Sequence, residues 1–473
     1  LFYNPIEQLV LEQFVAEPPF GISNSVSNPL LSTPFVDQTG TVKPNVANGI
    51  LSPPQGTPVD WALYRPILLF GQFPKNLRTQ YSAQYNLTVK RELPNDILVQ
   101  VGYVGSQGHR LLASHDLNFA NAQTCLDLAA ISTATGNTGL ACSPFGEDSS
   151  YFVPAGTTIP AQGLHLPYNA GAGGLLVPGG TVVGPNGITL VGTRPFSSPN
   201  CQPLTGVNCP ADGTPVFSSI FSEDNSAHSN YNSLQALVEK RFSHGIQFQA
   251  SYTYSKSLDN ASSFEDLLNP LSFEATYGPS LYDARHRFVF NYVWDLPIPK
   301  MEGFRGKVFN GWQVSGIFTY QTGFPILIIS PADNELMGTV NGFEPPGEPN
   351  IVGPFRTQDP KTHGGFAFDP NLFNSAPFDP VLNPQGVPLG TFGNSPRKLC
   401  CNSPINNWDM GFYKDIPFTE RLKMEFRGEV YNIWNHAQFF SIDGNVGNQG
   451  TTFGQPQKTR DPRLVQFALK LLF

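Results

Sequence analysis

The sequence predicts an all-β fold, an antiparallel β-barrel that crosses a membrane on amphipathic strands. Three observations carry that expectation. About ten segments alternate apolar and polar residues with a period of two, their connections alternate between short and long, and tryptophans fall at segment ends.

Composition sets the bounds. The 473 residues allow one large all-β structure or two or three ordinary domains. With 45 Gly and 44 Pro spread along it, the chain disfavours long helices. Aromatics make up 12% and charged residues only 14%, which describes a folded chain and not a disordered one. A net charge of −8 and a pI near 5.5 leave no basic footprint, so nucleic acid is not an expected partner. No apolar run approaches the roughly 18 residues of a membrane-spanning helix; residues 326–329 make a run of four. The mean hydropathy of −0.18 is compatible with strands in lipid, because the two faces of such strands cancel in any average. The chain opens Leu1-Phe2-Tyr3, without an initiator Met or a leader, and reads as a fragment or a processed product.

The segments follow in order. Residues 6–16 alternate weakly. In 81–89, Tyr81, Ala83, Tyr85, Leu87 and Val89 face one way and Ser82, Gln84, Asn86 and Thr88 the other. Segments 97–107 and 232–242 continue the pattern. Segment 246–254 sets Ile246, Phe248, Ala250, Tyr252 and Tyr254 against Gln247, Gln249, Ser251 and Thr253. Segments 287–296, 312–321 and 407–416 come next. In 422–430, Leu422, Met424, Phe426 and Val430 alternate with Lys423, Glu425, Arg427 and Glu429. Four charges on one face need water beside them, while the other face is apolar. The last segment, 463–473, places Val465, Phe467, Leu469, Leu471 and Phe473 together, with Leu472 breaking the pattern. Each segment has about ten residues, the length of a tilted strand that spans a bilayer.

The connections 93–96, 243–245 and 417–421 are short and 297–311 is moderate. Those at 17–78, 108–230, 258–286, 322–406 and 435–462 are long. Outer-membrane barrels join their strands by short periplasmic turns and long extracellular loops, and this rhythm puts every short turn at one end. Trp294 and Trp312 flank one periplasmic turn, while Trp408 and Trp434 lie toward the outer rim. They are the expected aromatic girdle, against the alternative of core tryptophans in a sandwich. The terminal Phe473 after Val465, Phe467, Leu469 and Leu471 is similar to the signal read by the barrel-assembly machinery. That machinery and outer-membrane lipid are therefore expected partners, in a bacterial cell outer membrane.

Several stretches resemble a known family. They are Gln84-Tyr85-Asn86-Leu87 with Lys90-Arg91-Glu92-Leu93-Pro94, Tyr231-Asn232-Ser233-Leu234-Gln235 with Lys240-Arg241-Phe242, and Ser251-Tyr252-Thr253-Tyr254-Ser255-Lys256. Asp283-Ala284-Arg285-His286-Arg287-Phe288, Gly311-Trp312-Gln313-Val314-Ser315-Gly316 and Glu429-Val430-Tyr431-Asn432-Ile433-Trp434-Asn435 complete the set. Together they resemble the TonB-dependent receptors of the Oar-like branch, which carry a carboxypeptidase-regulatory-like domain and a plug before the barrel. The resemblance covers most strands and not the long loops. It implies a 22-strand barrel of which residues 1–473 form the C-terminal part, about ten strands, with plug and N-terminal domain upstream. It also implies coupling to the TonB complex through that plug, and capture of an extracellular solute by the long loops.

No residue pattern points to an enzyme or to a cofactor. The eight His lack metal-ligand spacing, and neither His-Glu-x-x-His nor Gly-x-Ser-x-Gly occurs. Gly171-Ala172-Gly173-Gly174 lacks the strand and helix of a phosphate-cradling loop. Asp333-Asn334-Glu335 and Glu223-Asp224-Asn225 lack the spacing of a calcium cage and read as solvated turns. Asp283, Arg285, His286 and Arg287 read as a rim salt-bridge network before they read as a ligand contact. All six Cys fall in or beside long loops, which suits an oxidising envelope, with Cys125–Cys142 and Cys201–Cys209 as expected loop staples. Loop aromatics, including Phe145, Tyr151, Phe152, Phe196, Phe343 and Phe366, suit stacking on a planar ligand or packing of loop on loop. The functional expectation is an outer-membrane transport receptor that binds an extracellular solute with its long loops. An adhesion barrel without import and a soluble secreted carbohydrate-binding protein are the alternatives.

Overall fold

The structure, a computed structural model, describes residues 2–4, 32, 61–167, 175–263, 266, 268–338, 347–419 and 422–473. Ten strands form the antiparallel path of a twelve-stranded sheet; off that path Ile67–Gln72 pairs in parallel with the strand Phe217–Ser243, and Gly278–Pro279 pairs with Ile246–Asp259. The ten are β1 (Phe2–Asn4), β2 (Gln80–Leu93), β3 (Ile97–Asp116), β4 (Phe217–Ser243) and β5 (Ile246–Asp259). Then follow β6 (His286–Asp295), β7 (Trp312–Gln321), β8 (Ile405–Pro417), β9 (Lys423–Tyr431) and β10 (Leu464–Leu472). Among the described residues β10 pairs with β9 alone. The weak segment at 6–16 lies outside the described residues; Phe2–Asn4, just before it, pairs with β2.

Side-chain alternation sets the register. Where one face meets lipid and the other water, a slip of one residue would exchange the faces, so the apolar rows align strand by strand. One row runs Ala250, Phe290, Phe318, Trp408 from β5 to β8. Another runs Ile246, Trp294, Val314, Phe412, Gly428, Phe467 from β5 to β10. Within the first row the Phe318 and Trp408 rings lie 6.2 Å apart, and Phe318 lies at the same distance from Phe288 of the adjacent row. The short turns need little chain. His244 and Gly245 have φ of 54° and 78°, the left-handed pair that a two-residue hairpin requires.

Two strands are longer than the alternation predicts. β3 and β4 run to 20 and 27 residues and project past the outer rim, where register shifts interrupt their pairing. Those irregularities break the period of two, which is why the sequence pattern stops short of them. The moderate connection 297–311 contains a helix, α2 (Gly303–Phe309). A longer helix, α1 (Ala122–Thr135), lies in the loop after β3; the Asn121 side chain caps it and Gly136, in the left-handed region, ends it.

The cores lie outside the wall. One packs α1 against short hairpins through Leu128, Ile131, Leu140, Val153, Ile159 and Leu190. A second, beneath the loop 322–404, is a cluster of phenylalanines, Phe368, Phe373 and Phe453, with centroids 5.2 to 5.6 Å apart. The long loops are thus folded into a cap that buries its own apolar surface.

Candidate ligand-binding site at the outer rim

The wall separates two chemistries. The predicted terminal residues Val465, Phe467, Leu469, Leu471 and Phe473 are all exposed on the apolar parity, Phe467 at 73%. Trp294 and Trp312 sit on that parity near the short turns, and Trp408 sits on it near the opposite rim, 5.8 Å from Trp434. The polar face carries the charges of β9: Arg427 pairs with Glu425, and the Tyr413 hydroxyl donates to Glu429 at 3.1 Å. Gln466 of β10 also donates to Glu429.

Above the rim, two buried cations tie the cap to the strands. Arg194, 2% exposed, forms ion pairs with Asp116 at the end of β3 (3.3 Å) and with Asp148 (2.9 Å). Its guanidinium also donates to the carbonyls of Asn118, Met337 and Gly338 and to the Ser219 hydroxyl. One side chain thereby joins β3, β4 and both large loops. Lys398 pairs with Asp259 at the end of β5. Neither cation lay in a sequence motif; each is an isolated charge in a long loop, and only folding brings its partners together.

Acidic side chains are buried beside Arg194. The stretch Asp333-Asn334-Glu335 is not the solvated turn its composition suggests: all three residues are buried. Asp333 accepts backbone N–H bonds from Phe145, Met337 and Gly338. Burial, with the neighbouring charge of Asp333, pushes the Glu147 carboxyl up to about 9. Burial pushes Glu335 up to about 8 and Glu348 up to about 7. Glu223 of the other acidic stretch is buried as well.

The cysteines of the first large loop are joined as Cys125–Cys142 and Cys201–Cys209, with Cα–Cα distances of 5.2 and 4.1 Å. Asp283 accepts from the Ser257 backbone N–H at 2.7 Å and pairs with Arg285 at 3.2 Å, which fixes the loop after β5. His286 shares a 2.8 Å hydrogen bond with the Tyr252 hydroxyl. Gly171 to Gly174 and Phe343 lie outside the described residues.

A cavity of about 750 Å³ opens where β7 ends and β8 begins. Gln321, Phe324, Ile405, Phe440 and Arg460 are among its walls, and the guanidinium of Arg460 lies 5.2 Å over the Phe440 ring. The hairpin of Phe439–Ile442 and Pro456–Thr459 separates it from a second cavity of about 450 Å³. There Lys361 lies 6.0 Å over the Phe439 ring. Adjacent phenylalanines on one strand thus face two cavities, each with a cation on its ring, an arrangement suited to holding an anionic or planar solute. No sequence motif marks this site, because its walls come from four separated stretches of chain.

The family model described as an outer membrane beta barrel domain matches residues 1–466. No curated protein matches the chain. Among solved structures, the chain is similar to the outer membrane transporter YddB from Escherichia coli, with a TM-score of 0.37 and 9% identity over 86% of this chain and 34% of that one. A ferric enterobactin receptor from Pseudomonas aeruginosa gives 0.34 and 9% over 84% and 31%, and the ferripyoverdine receptor from the same organism gives 0.31 and 9% over 84% and 27%. The chain spans about a third of the length of these proteins.

Proposed function

The chain belongs to the outer-membrane β-barrel domain family, and from that premise we propose that it is the wall and outer mouth of a transport receptor that captures an extracellular solute. Membership places it in the bacterial outer membrane and removes the soluble secreted alternative. The observation that supports capture is the roofed mouth: β3 and β4 continue past the rim into a cap with its own core, and the cavity of about 750 Å³ lies under loops beside the ends of β7 and β8. A barrel kept only for adhesion needs no such cavity at its mouth.

In this reading residues 1–473 are barrel throughout, and an upstream plug couples import to TonB, as in the Oar-like receptors the strand motifs resemble. Trp294, Trp312, Trp408 and Trp434 form the girdle at the two membrane interfaces. Val465, Phe467, Leu469, Leu471 and Phe473 are the strand offered to the assembly machinery. The test is solute depletion from a defined medium by cells with and without the gene, with and without a protonophore. Loss of energy-dependent uptake of at least one solute on deletion is the expected result. Unchanged uptake of every solute, with surface attachment lost instead, would transfer the protein to the adhesion class.

A further inference from the structure

The connection between β6 and β7 is more than a turn. Asn310 clamps it at both ends, its side chain accepting from the Met301 backbone N–H at 3.1 Å and donating to the Met301 carbonyl at 2.9 Å. Gly306 is needed for that closure, since a Cβ there would lie 2.1 Å from the Met301 oxygen. Phe304 and Val308 stand one turn apart on α2 and are exposed, Phe304 at 81%, as are Met301 just before the helix and Phe309 at its end. Their carbonyl neighbour links them to the wall: the Trp312 indole donates to the Val308 oxygen at 2.9 Å. Trp312 belongs to the apolar row that continues through Lys414, Phe426 and Leu469. The exposed face of α2 is therefore continuous with the lipid face of the barrel at its periplasmic end.

Charge on this side has one sign near the turns. The apolar faces of β2 and of β5 to β10 hold no Asp or Glu. Arg91, Lys240 and Lys414 stand on the apolar parity beside the short turns. Lys240 donates to the Asn95 carbonyl at 3.0 Å, and Lys414 donates to the Asn310 carbonyl while lying 5.3 Å over the Trp312 ring. Long cationic side chains do this where lipid ends and headgroups begin. The connection itself carries Lys300, Arg305 and Lys307 against Glu302 alone.

We propose that α2 is a membrane-docked foot, with Met301, Phe304 and Val308 in the inner leaflet and its cations on the phosphates of anionic phospholipids. A helix with one apolar face and flanking Lys and Arg settles at such an interface and does not cross it. The inference rests on membership of the membrane family and is independent of whether the barrel imports anything.

The test uses the whole protein carrying Phe304→Cys or, as the control at the acidic residue that precedes the helix, Glu302→Cys, each labelled with an environment-sensitive fluorophore. Vesicles contain phosphatidylethanolamine and phosphatidylglycerol with brominated acyl chains, in samples whose tryptophan fluorescence the same lipid already quenches. Quenching several-fold greater at 304 than at 302 is expected, and stronger when only the phosphatidylglycerol is brominated. Exchanging Lys300, Arg305 and Lys307 for Gln together removes that lipid preference and leaves tryptophan quenching unchanged. Equal quenching at 302 and 304, or none at 304, overturns the foot. A preference that survives the triple exchange overturns the phosphate contacts.

Discussion

Replacing Arg194 by Met keeps most of the side-chain volume and removes one buried charge with six hydrogen-bond partners. Breaking a buried ion pair from one side costs roughly 3–5 kcal/mol when the remaining charge is left uncompensated. Here the remaining charges are partly compensated. Asp116 also accepts from the backbone N–H groups of Asn118 (2.8 Å) and Ile220 (3.0 Å), and Asp148 accepts from Ser218 and is 32% exposed. The buried carbonyl of Asn118 loses its guanidinium donor and acts the other way, since an unsatisfied buried acceptor costs about 1–3 kcal/mol, whereas the Met337 carbonyl keeps the Ala120 N–H. The balance is about 3 kcal/mol, charged to the docking of the two large loops on β3 and β4. Hydrogen exchange in the membrane reads it directly: amides of the cap opening through this junction exchange about a hundred-fold faster, while those of β5 to β10 are unchanged. Acceleration below about three-fold, or equal acceleration in the wall, would refute the assignment of Arg194 as the junction between cap and wall.

The buried acids of the cap make its docking depend on pH. Glu147, Glu335 and Glu348 have raised carboxyl values in the folded cap, so the folded state holds more protons than the unfolded one. Their stabilisation is complete below the ordinary glutamate range and is lost as pH rises through about 7, 8 and 9. Exchange of cap amides, corrected for its intrinsic rate, increases across that window, and Glu147→Gln flattens its upper part; a pH-independent cap would contradict the burial of these groups. Cys125→Ser with Cys142→Ser opens a closed loop of sequence separation 17 and costs the cap about 3 kcal/mol. Limited proteolysis then cuts the cap and spares the wall; equal resistance with and without the bond would show that the core alone holds it. Phe290→Arg, in the middle of the apolar row, destabilises the wall by roughly 2–4 kcal/mol, whereas Ser251→Arg on the polar face has little effect. Urea unfolding in lipid separates the two, and equal losses would mean the faces have been assigned the wrong way round.

The strands were legible because a wall one residue thick between lipid and water writes its period of two directly into the chain. Each of β2 to β10 contains or overlaps a segment found from alternation, and the ends of Trp-bearing strands were visible for the same reason. The pairing of β5 with β6 and of β7 with β8 follows once the apolar rows must coincide. The long loops obey no such rule. Their apolar residues face a small core inside the cap, at spacings set by turns and short hairpins, so Leu128, Phe368 and Phe453 carry no period. The extension of β3 and β4, the helix at Gly303–Phe309, and the buried state of Asp333 and Glu335 were decided only by the tertiary structure. So was the role of Arg194. Its partners, Asp116, Asp148 and the carbonyls near Gly338, stand up to 144 residues away along the chain. Nothing local marks a cation whose charges and acceptors meet only when two loops fold over the same rim. The sequence determined a membrane wall because both its solvents act on every residue of it; the tertiary structure decided the mouth because that site is built from contacts between distant loops.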